Sequence, residues 1–239
     1  MTSNSRTPAR GPIAVALDTP HLETAAQWAN AVSPYVTVLK VGMELFYRGG
    51  PDVIDVIRGG NKVGLFLDLK LHDIPNTVGA AVRSVARLKP QFLTVHASGG
   101  EAMVRAAVEA APDVAIAGVT VLTSLDEDDL AEIGLSGPAL DAARRLAVLA
   151  VRAGARALVC SPREVAAIRA EVGPDVTLIT PGVRPAGAEM QDQARVATPE
   201  QALADGADLL VVGRPITGAP DPAAAAARIA MSLRQHEQH

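Results

Sequence analysis

The sequence repeatedly alternates short apolar segments with longer amphipathic ones, and this alternation limits the fold more than any other feature. Continuous apolar strands alternating with helices are typical of a parallel sheet that is buried on both faces. Eight strand–helix units in 239 residues predict a single-domain (β/α)8 TIM barrel, an α/β fold that commonly takes about 250 residues. The predicted strands are Pro12–Asp18, Val36–Val41, Val63–Leu67, Phe92–His96, Val114–Leu122, Ala157–Cys160, Val176–Thr180 and Leu209–Val212.

No linker-like run interrupts the eight units, so we expect one domain over residues 12–239, preceded by a disordered tail over residues 1–11. Hydrophobic residues make up 49% of the chain but aromatic residues only 3%, so the core must consist mainly of Ala, Val, Leu and Ile. The competing architecture is an open, doubly wound dinucleotide-binding sheet. The first strand is not followed by the motif G-x-G-x-x-G of such sheets, which favours the barrel.

Charge and cysteine content narrow the classes of partner and site. A net charge of −4 argues against nucleic-acid binding, which requires an excess of Lys and Arg on one face. The single cysteine, Cys160, ends a predicted strand, and we expect it to be packed in the core rather than reactive. The sequence has no apolar leader after Met1 and no run approaching the roughly 20 apolar residues that span a bilayer, so we expect a cytoplasmic protein without a membrane partner.

Three charged residues lie within the six positions that follow the third predicted strand. Asp68 and Lys70 are two positions apart, and side chains at that spacing point to the same face of a strand. Asp73 follows in the loop, and Pro75, with its fixed φ, is expected to open the next helix. The pattern fits an acid and an ammonium delivered to a catalytic site, although a salt bridge that closes the strand would produce the same pattern.

Polar and charged residues also follow other predicted strands. In α/β barrels the active site lies at the carboxyl ends of the strands, and phosphate is often bound by the loops after strands seven and eight. Gly213 permits close backbone approach to an anion, and Arg214 offers a bidentate guanidinium. The loop from Pro181 to Val196 has the length and the glycines of a lid. The strand-end residues that we expect to share one pocket are Asp18, Lys40, Asp68, Lys70, Thr123, Arg184, Gly213 and Arg214.

Several longer motifs agree with this arrangement, and together they resemble one enzyme family. The motifs are A-L-D ending at Asp18, K-V-G-M-E-L-F from Lys40, D-L-K-L-H-D-I-P-N-T from Asp68, L-T-S at Thr123, T-P-G-V-R ending at Arg184, D-Q-A-R-V-A-T-P around Gln193 and V-V-G-R ending at Arg214. From Ile13 to about Ile216 the chain resembles the orotidine 5′-phosphate decarboxylases.

The resemblance implies decarboxylation of orotidine 5′-phosphate to UMP, without metal or other cofactor, in a homodimer with shared active sites. It assigns the proton transfer to C6 to Lys70 and places Asp68 beside the substrate carboxylate. It also implies ribose binding by Asp18 and Lys40, contributions from Asp73 and Thr77 to the site of the neighbouring subunit, pyrimidine contacts by Thr123 and Gln193, and phosphate binding by Gln193, Arg184 and Arg214.

Two other functions are compatible with parts of the pattern. Related decarboxylases and synthases acting on 3-keto-gulonate or hexulose phosphates share D-x-K-x-x-D, but hold Mg²⁺ partly through a glutamate where this chain has Lys40. An ammonium at that position repels a divalent cation, which disfavours this alternative. A nucleotide-binding barrel without catalytic activity would not need the full set of acids and ammonium groups.

Overall fold

The computed structural model describes residues 10–135, 137–184 and 197–236. Within them, eight parallel strands form one closed barrel, in which each strand pairs with the next and the last pairs with the first. The predicted TIM barrel is therefore confirmed. The strands are β1 (Gly11–Ala16), β2 (Val36–Gly42), β3 (Gly64–Leu71), β4 (Phe92–His96), β5 (Ala115–Val119), β6 (Ala157–Val159), β7 (Thr177–Thr180) and β8 (Leu209–Val212).

Helices alternate with the strands and cover the outside of the barrel. None of those in the described residues is long and apolar enough to cross a membrane. The helices are α1 (Leu22–Val32), α2 (Met43–Gly49), α3 (Val53–Arg58), α4 (Pro75–Ala86), α5 (Glu101–Ala110), α6 (Glu127–Glu132), α7 (Ala139–Arg152), α8 (Val165–Val172), α9 (Pro199–Ala204), α10 (Arg214–Thr217) and α11 (Pro222–His236).

The interior of the barrel is a packed core to which each strand contributes one buried side chain. Phe66 and Phe92 are the two aromatic side chains of this layer and meet edge to face, with ring centroids 5.9 Å apart. Alanines on β1, β5 and β6 leave room for the two rings. The interior layer consists of Ala14, Val38, Phe66, Phe92, Ala117, Ala157, Ile179 and Leu209. A filled interior of this kind closes the barrel from below and leaves space for a ligand only at its ends.

The structure departs from the sequence-based expectation at β3. This strand continues to Leu71 rather than ending at Leu67, so Asp68 and Lys70 lie within the strand and not after it. The pairing with β4 shifts between Leu67 and Leu71, which marks a bulge in β3. A bulge lets extra residues remain in a strand by bending it locally, and the sequence gives no sign of where this one begins.

Three helices were not expected, and one of them is the short α10, which begins directly after Gly213. The helix α2 follows β2 directly, where the sequence predicts a helix only from Pro51. The helix α6 occupies the segment predicted as an acidic turn, and Asp126 and Asp129 cap its first turn through reciprocal hydrogen bonds of 2.9 and 3.1 Å. Residues 1–9 of the expected tail lie outside the described residues, and β1 begins at Gly11.

Candidate active site

The floor of the site is the layer of side chains directly above the interior core. Its members follow the core residues by two positions, and side chains two apart on a strand share a face. The members on β2, β3 and β4 are polar or charged, whereas those from β5 to the end of the barrel are apolar. The floor residues are Ala16, Lys40, Asp68, Thr94, Val119, Val159, Pro181 and Val211. The site therefore has a charged side and an apolar side.

Four charged side chains alternate in sign along the charged side. The ammonium of Lys40 lies 3.0 Å from Asp18 Oδ1 and 3.3 Å from Asp68 Oδ2. The ammonium of Lys70 lies 2.8 Å from Asp68 Oδ1. The exposed side-chain fraction rises from 8% for Lys40 through 14% for Asp68 and 25% for Lys70 to 57% for Asp18. The structure thus brings these four predicted residues together, with Asp18 at the mouth.

Burial and neighbouring charges act in opposite directions on the two central groups. Burial lowers the pKa of Lys40, but Asp68 and Asp18 outweigh it and leave that pKa above its ordinary 10.5. Burial raises the pKa of Asp68, but Lys40 and Lys70 outweigh it and leave that pKa below its ordinary 3.8. The stabilisation from Asp68 is present above pH 3.8 and is lost as the pH falls through its folded-state pKa. The stabilisation from Lys40 is present below pH 10.5 and is lost as the pH rises through the folded-state pKa of Lys40.

A cavity of about 460 Å³ opens above the charged side. An apolar pocket of about 190 Å³ adjoins it, and Asp68 and Lys70 line both spaces. Thr123 lies in the wall of the apolar pocket, together with Cys160, whose pKa is raised by burial, as expected for a packed thiol. Two larger depressions elsewhere on the described surface are lined by none of the predicted site residues.

The loops after β7 and β8 bring two arginines and two glycines to the same cavity. Arg184 is buried and Arg214 is exposed, and both line the cavity with Gly182 and Gly213. Gly182 has a φ of +79°, a conformation that glycine adopts without steric cost, so it sets the turn that leads β7 into the site. Gln193, predicted to contact the ligand, lies outside the described residues.

Asp73 and Thr77 do not join this cavity. Both are exposed, and the carboxylate of Asp73 accepts a 2.6 Å hydrogen bond from the backbone N–H of Ile74. Within the described residues, no Lys or Arg forms an ion pair with Asp73. The structure of one chain therefore places these two predicted residues on the outer rim rather than among the four charged groups.

Gly42 is a site residue that the sequence did not single out. A Cβ at this position would lie 2.7 Å from Asp18 Oδ1 and 3.1 Å from Lys40 Nζ, so glycine leaves the space that this ion pair fills. Its backbone is extended, with φ −88° and ψ 179°, a conformation open to any residue. The only signal in the sequence is its place two residues after Lys40 in a strand, which does not reveal what lies beside it.

We expect Gly42→Ala to lower kcat/KM of the reaction catalysed at this site by roughly tenfold to a hundredfold, because the added methyl displaces two charged side chains of the site. Both displaced groups are ends of flexible side chains, so the melting temperature should change by less than about 3 °C. Gly79→Ala is a suitable control, since a Cβ there meets its neighbours at 3.4 Å or more. A large loss of stability with activity per folded molecule unchanged would contradict this assignment.

The fold is a closed (β/α)8 barrel. Carboxylate–ammonium pairs lie on or just after its first three strands, and arginines follow its last two. These features define the class of barrels with a site suited to a small anionic ligand. The family model described as Orotidine 5′-phosphate decarboxylase / HUMPS family matches residues 11–229. The chain belongs to this family.

Named relatives and solved structures agree with this membership. The chain is 70% identical over 224 residues to the orotidine 5′-phosphate decarboxylase of Thermobifida fusca, with 94% of the chain and 96% of the relative covered. It is 62% identical to the orotidine 5′-phosphate decarboxylase of Frankia casuarinae, with 95% of the chain and 90% of the relative covered. The crystal structure of the Lactobacillus acidophilus enzyme of the same name has a TM-score of 0.81 at 37% identity, covering 94% and 99%.

Proposed function

We propose that this chain decarboxylates orotidine 5′-phosphate to UMP and carbon dioxide, a step of pyrimidine biosynthesis. The observation that carries the proposal is the largely buried Asp68–Lys70 pair, which lies between an apolar pocket and a cavity bearing two arginines. Membership of the family and the names of the relatives support it. We place the reaction in the cytoplasm and assign it no metal, other cofactor or nucleic-acid partner.

In the proposed reaction the bond from C6 to the carboxylate breaks, carbon dioxide leaves, and the electron pair stays on C6. Lys70 donates a proton from Nζ to C6 and recovers one from solvent. A fixed ammonium beside the developing carbanion lowers its energy, because a partly dry site strengthens electrostatic interactions. Carbon dioxide is neutral, so the apolar pocket beside Lys70, with Val119 and Val159 in its wall, suits it.

Asp68 has two roles in the proposal. It accepts the hydrogen bond that holds the Lys70 ammonium in place, at 2.8 Å. It also faces the substrate carboxylate, and two such charges 4 Å apart repel by about 4 kcal/mol at an effective dielectric constant of 20. Only the part of this repulsion that is relieved in the transition state accelerates the reaction.

The remaining contacts hold the rest of the nucleotide. We propose that Asp18 and Lys40 bind the ribose hydroxyls, because both line the cavity, with Asp18 at its mouth and the Lys40 ammonium between the carboxylates of Asp18 and Asp68. Arg184 and Arg214, with the backbone at Gly213, bind the phosphate. Thr123 contacts the pyrimidine, and Gln193 is proposed to contact both ring and phosphate on resemblance to the family.

We further propose a homodimer in which Asp73 and Thr77 complete the site of the partner subunit. What supports this is their exposed position outside the cavity of their own chain. If sites are shared, Lys70→Ala and Asp73→Ala proteins, each nearly inactive, should regain activity when mixed. In a fully exchanged equal mixture half of the dimers carry one intact site, so about a quarter of the wild-type activity should return.

The matched control for this mixing experiment is Lys70→Ala with Asp68→Ala. Asp68 and Lys70 belong to one chain and lie 2.8 Å apart, so no heterodimer of these two variants contains an intact site. Subunit exchange is monitored with two differently labelled proteins. Exchange without recovered activity in the Lys70–Asp73 mixture would contradict the shared site.

Decarboxylation is tested by following the loss of orotate absorbance with purified protein, with and without EDTA. We expect activity that EDTA leaves unchanged. The Mg²⁺-dependent sugar-phosphate activities are disfavoured by the position of Lys40, whose ammonium already lies between the carboxylates of Asp18 and Asp68. Activity on orotidine 5′-phosphate that EDTA abolishes would contradict the metal-free proposal, and binding of UMP without turnover would indicate a non-catalytic barrel.

A further inference from the structure

The bulge in β3 gives Lys70 an unusual backbone. Leu67 pairs with Leu93 and Leu71 with Val95, so four residue steps on β3 face two on β4. Lys70 has a φ of +48°, one of two non-glycine residues with positive φ in the described parts of the chain. Positive φ is sterically costly for a residue with a Cβ and persists only where its surroundings enforce it. The ammonium therefore reaches Asp68 from a backbone that something else must hold.

Thr94 lies opposite this bulge, in the middle of β4, and is fully buried. Its Oγ1 accepts a 2.8 Å hydrogen bond from the backbone N–H of Lys70. The same hydroxyl donates a 3.0 Å hydrogen bond to Asp68 Oδ1. A bulge removes N–H groups from the regular ladder, and here a side chain replaces the missing partner.

The direction of both hydrogen bonds is fixed by chemistry. An amide N–H can only donate, an ionised carboxylate can only accept, and a hydroxyl has one proton and can do both. Among the side chains that the structure describes, Thr94 thus hydrogen-bonds both the backbone of the proposed proton donor and the carboxylate beside it. Valine has nearly the same shape but can make neither bond.

We propose that Thr94 is a positioning residue that sets the places of Asp68 and Lys70 together, by holding the left-handed backbone of Lys70 and the orientation of the Asp68 carboxylate. This inference rests on the proposed function, since Asp68 and Lys70 are its reacting pair. Thr94 is not among the residues that we propose to contact the substrate. Its effect should therefore appear in the chemical step and not in the binding of the nucleotide.

The test compares Thr94→Val, Thr94→Ser and the control Thr120→Val. Thr120 is another buried threonine, but its hydroxyl donates to the carbonyl of Val159 at 3.0 Å and touches none of the four charged groups. Thr94→Val should lose about a hundredfold in kcat, as expected for a displacement of about 1 Å in reacting groups, with the affinity for UMP changed less than about threefold. Thr94→Ser and Thr120→Val should stay within about threefold of wild type.

Equal losses of kcat in Thr94→Val and Thr120→Val would overturn the inference, and so would a loss of kcat in Thr94→Ser as large as that in Thr94→Val. Either result would mean that Thr94 only supports the fold. If Thr94→Val does not fold, Thr94→Ala and Thr94→Ser decide it in the same way, with activity expressed per folded molecule. Wild-type protein in the same assay separates the two proposals. An inactive wild type refutes the proposed function, whereas an active wild type with a fully active Thr94→Val refutes only the role of Thr94.

Discussion

Replacing Lys70 by alanine is expected to lower kcat/KM for orotidine 5′-phosphate by at least about a thousandfold. A positioned proton donor typically contributes about a hundredfold to ten-thousandfold, and the stabilising charge beside C6 is lost with it. The fold should persist, because the Lys70 side chain is 25% exposed and lies above the interior core. Steady-state decarboxylation and thermal unfolding of the purified variant measure both parts of this expectation.

Lys89→Ala is the matched control for Lys70→Ala. Lys89 is also a lysine with positive φ, +49°, but it is exposed and lies in the loop before β4, at the opposite end of the barrel. Any cost of placing alanine in a left-handed backbone is therefore shared by the two variants. A Lys70→Ala protein that keeps more than about a hundredth of the wild-type kcat would show that Lys70 is not the proton donor.

Replacing Arg214 by alanine should have the second largest effect. Two charge-assisted hydrogen bonds to phosphate, at about 1.5–3 kcal/mol each, correspond to a loss of roughly 10²–10⁴ in kcat/KM for orotidine 5′-phosphate. Activity on the phosphate-free nucleoside, orotidine, should barely change, because that substrate never contacts the guanidinium. Free guanidinium ion should restore part of the lost activity on the phosphorylated substrate. The measurement is kcat/KM for both substrates on both proteins.

Arg163→Ala controls for the removal of an arginine at this end of the barrel. Arg163 is exposed and lies in the loop after β6, outside the cavity. We expect both substrates to react with Arg163→Ala as they do with wild type. An equal proportional loss on orotidine and orotidine 5′-phosphate in Arg214→Ala would mean that Arg214 supports the fold or the chemistry, and not the phosphate.

The barrel could be predicted from the sequence because its determinants are local. Each strand is a continuous apolar run, and the order of pairing follows from eight right-handed strand–helix units. The prediction missed α2 because M-E-L-F continues the apolar run of β2 without a turn residue between them. It missed α6 because four acidic residues in a row resemble a solvated turn until their capping bonds are seen.

The charged site was only partly predictable. Strand ends place Asp18, Lys40 and Asp68 at one rim, and the structure brings them together. Lys70 reaches Asp68 through a bulge and a left-handed backbone, not through the regular alternation on which the prediction rested. Thr94 could not be predicted because threonine is an ordinary strand residue, and its role depends on the bulge in β3 opposite it.

Contributions from a second chain lie beyond what spacing can give. Asp73 follows Lys70 by three residues, yet it points to the rim of its own chain and not to the ammonium. Sequence proximity does not determine in which subunit a side chain acts. The family resemblance supplied that hypothesis, and the mixing experiment tests it.

If Lys70 exchanges a proton with C6, hydrogen exchange on the product should show this without any decarboxylation. A group that protonates the C6 carbanion must also remove the C6 proton in the reverse direction. The experiment incubates 5-fluoro-UMP with enzyme in D₂O and follows the C6 proton by NMR, since fluorine stabilises the carbanion and speeds exchange. Wild-type and Lys89→Ala proteins should accelerate deuterium incorporation at C6, and Lys70→Ala should leave it at the rate of the free nucleotide. Exchange in Lys70→Ala as fast as in wild type would contradict the account.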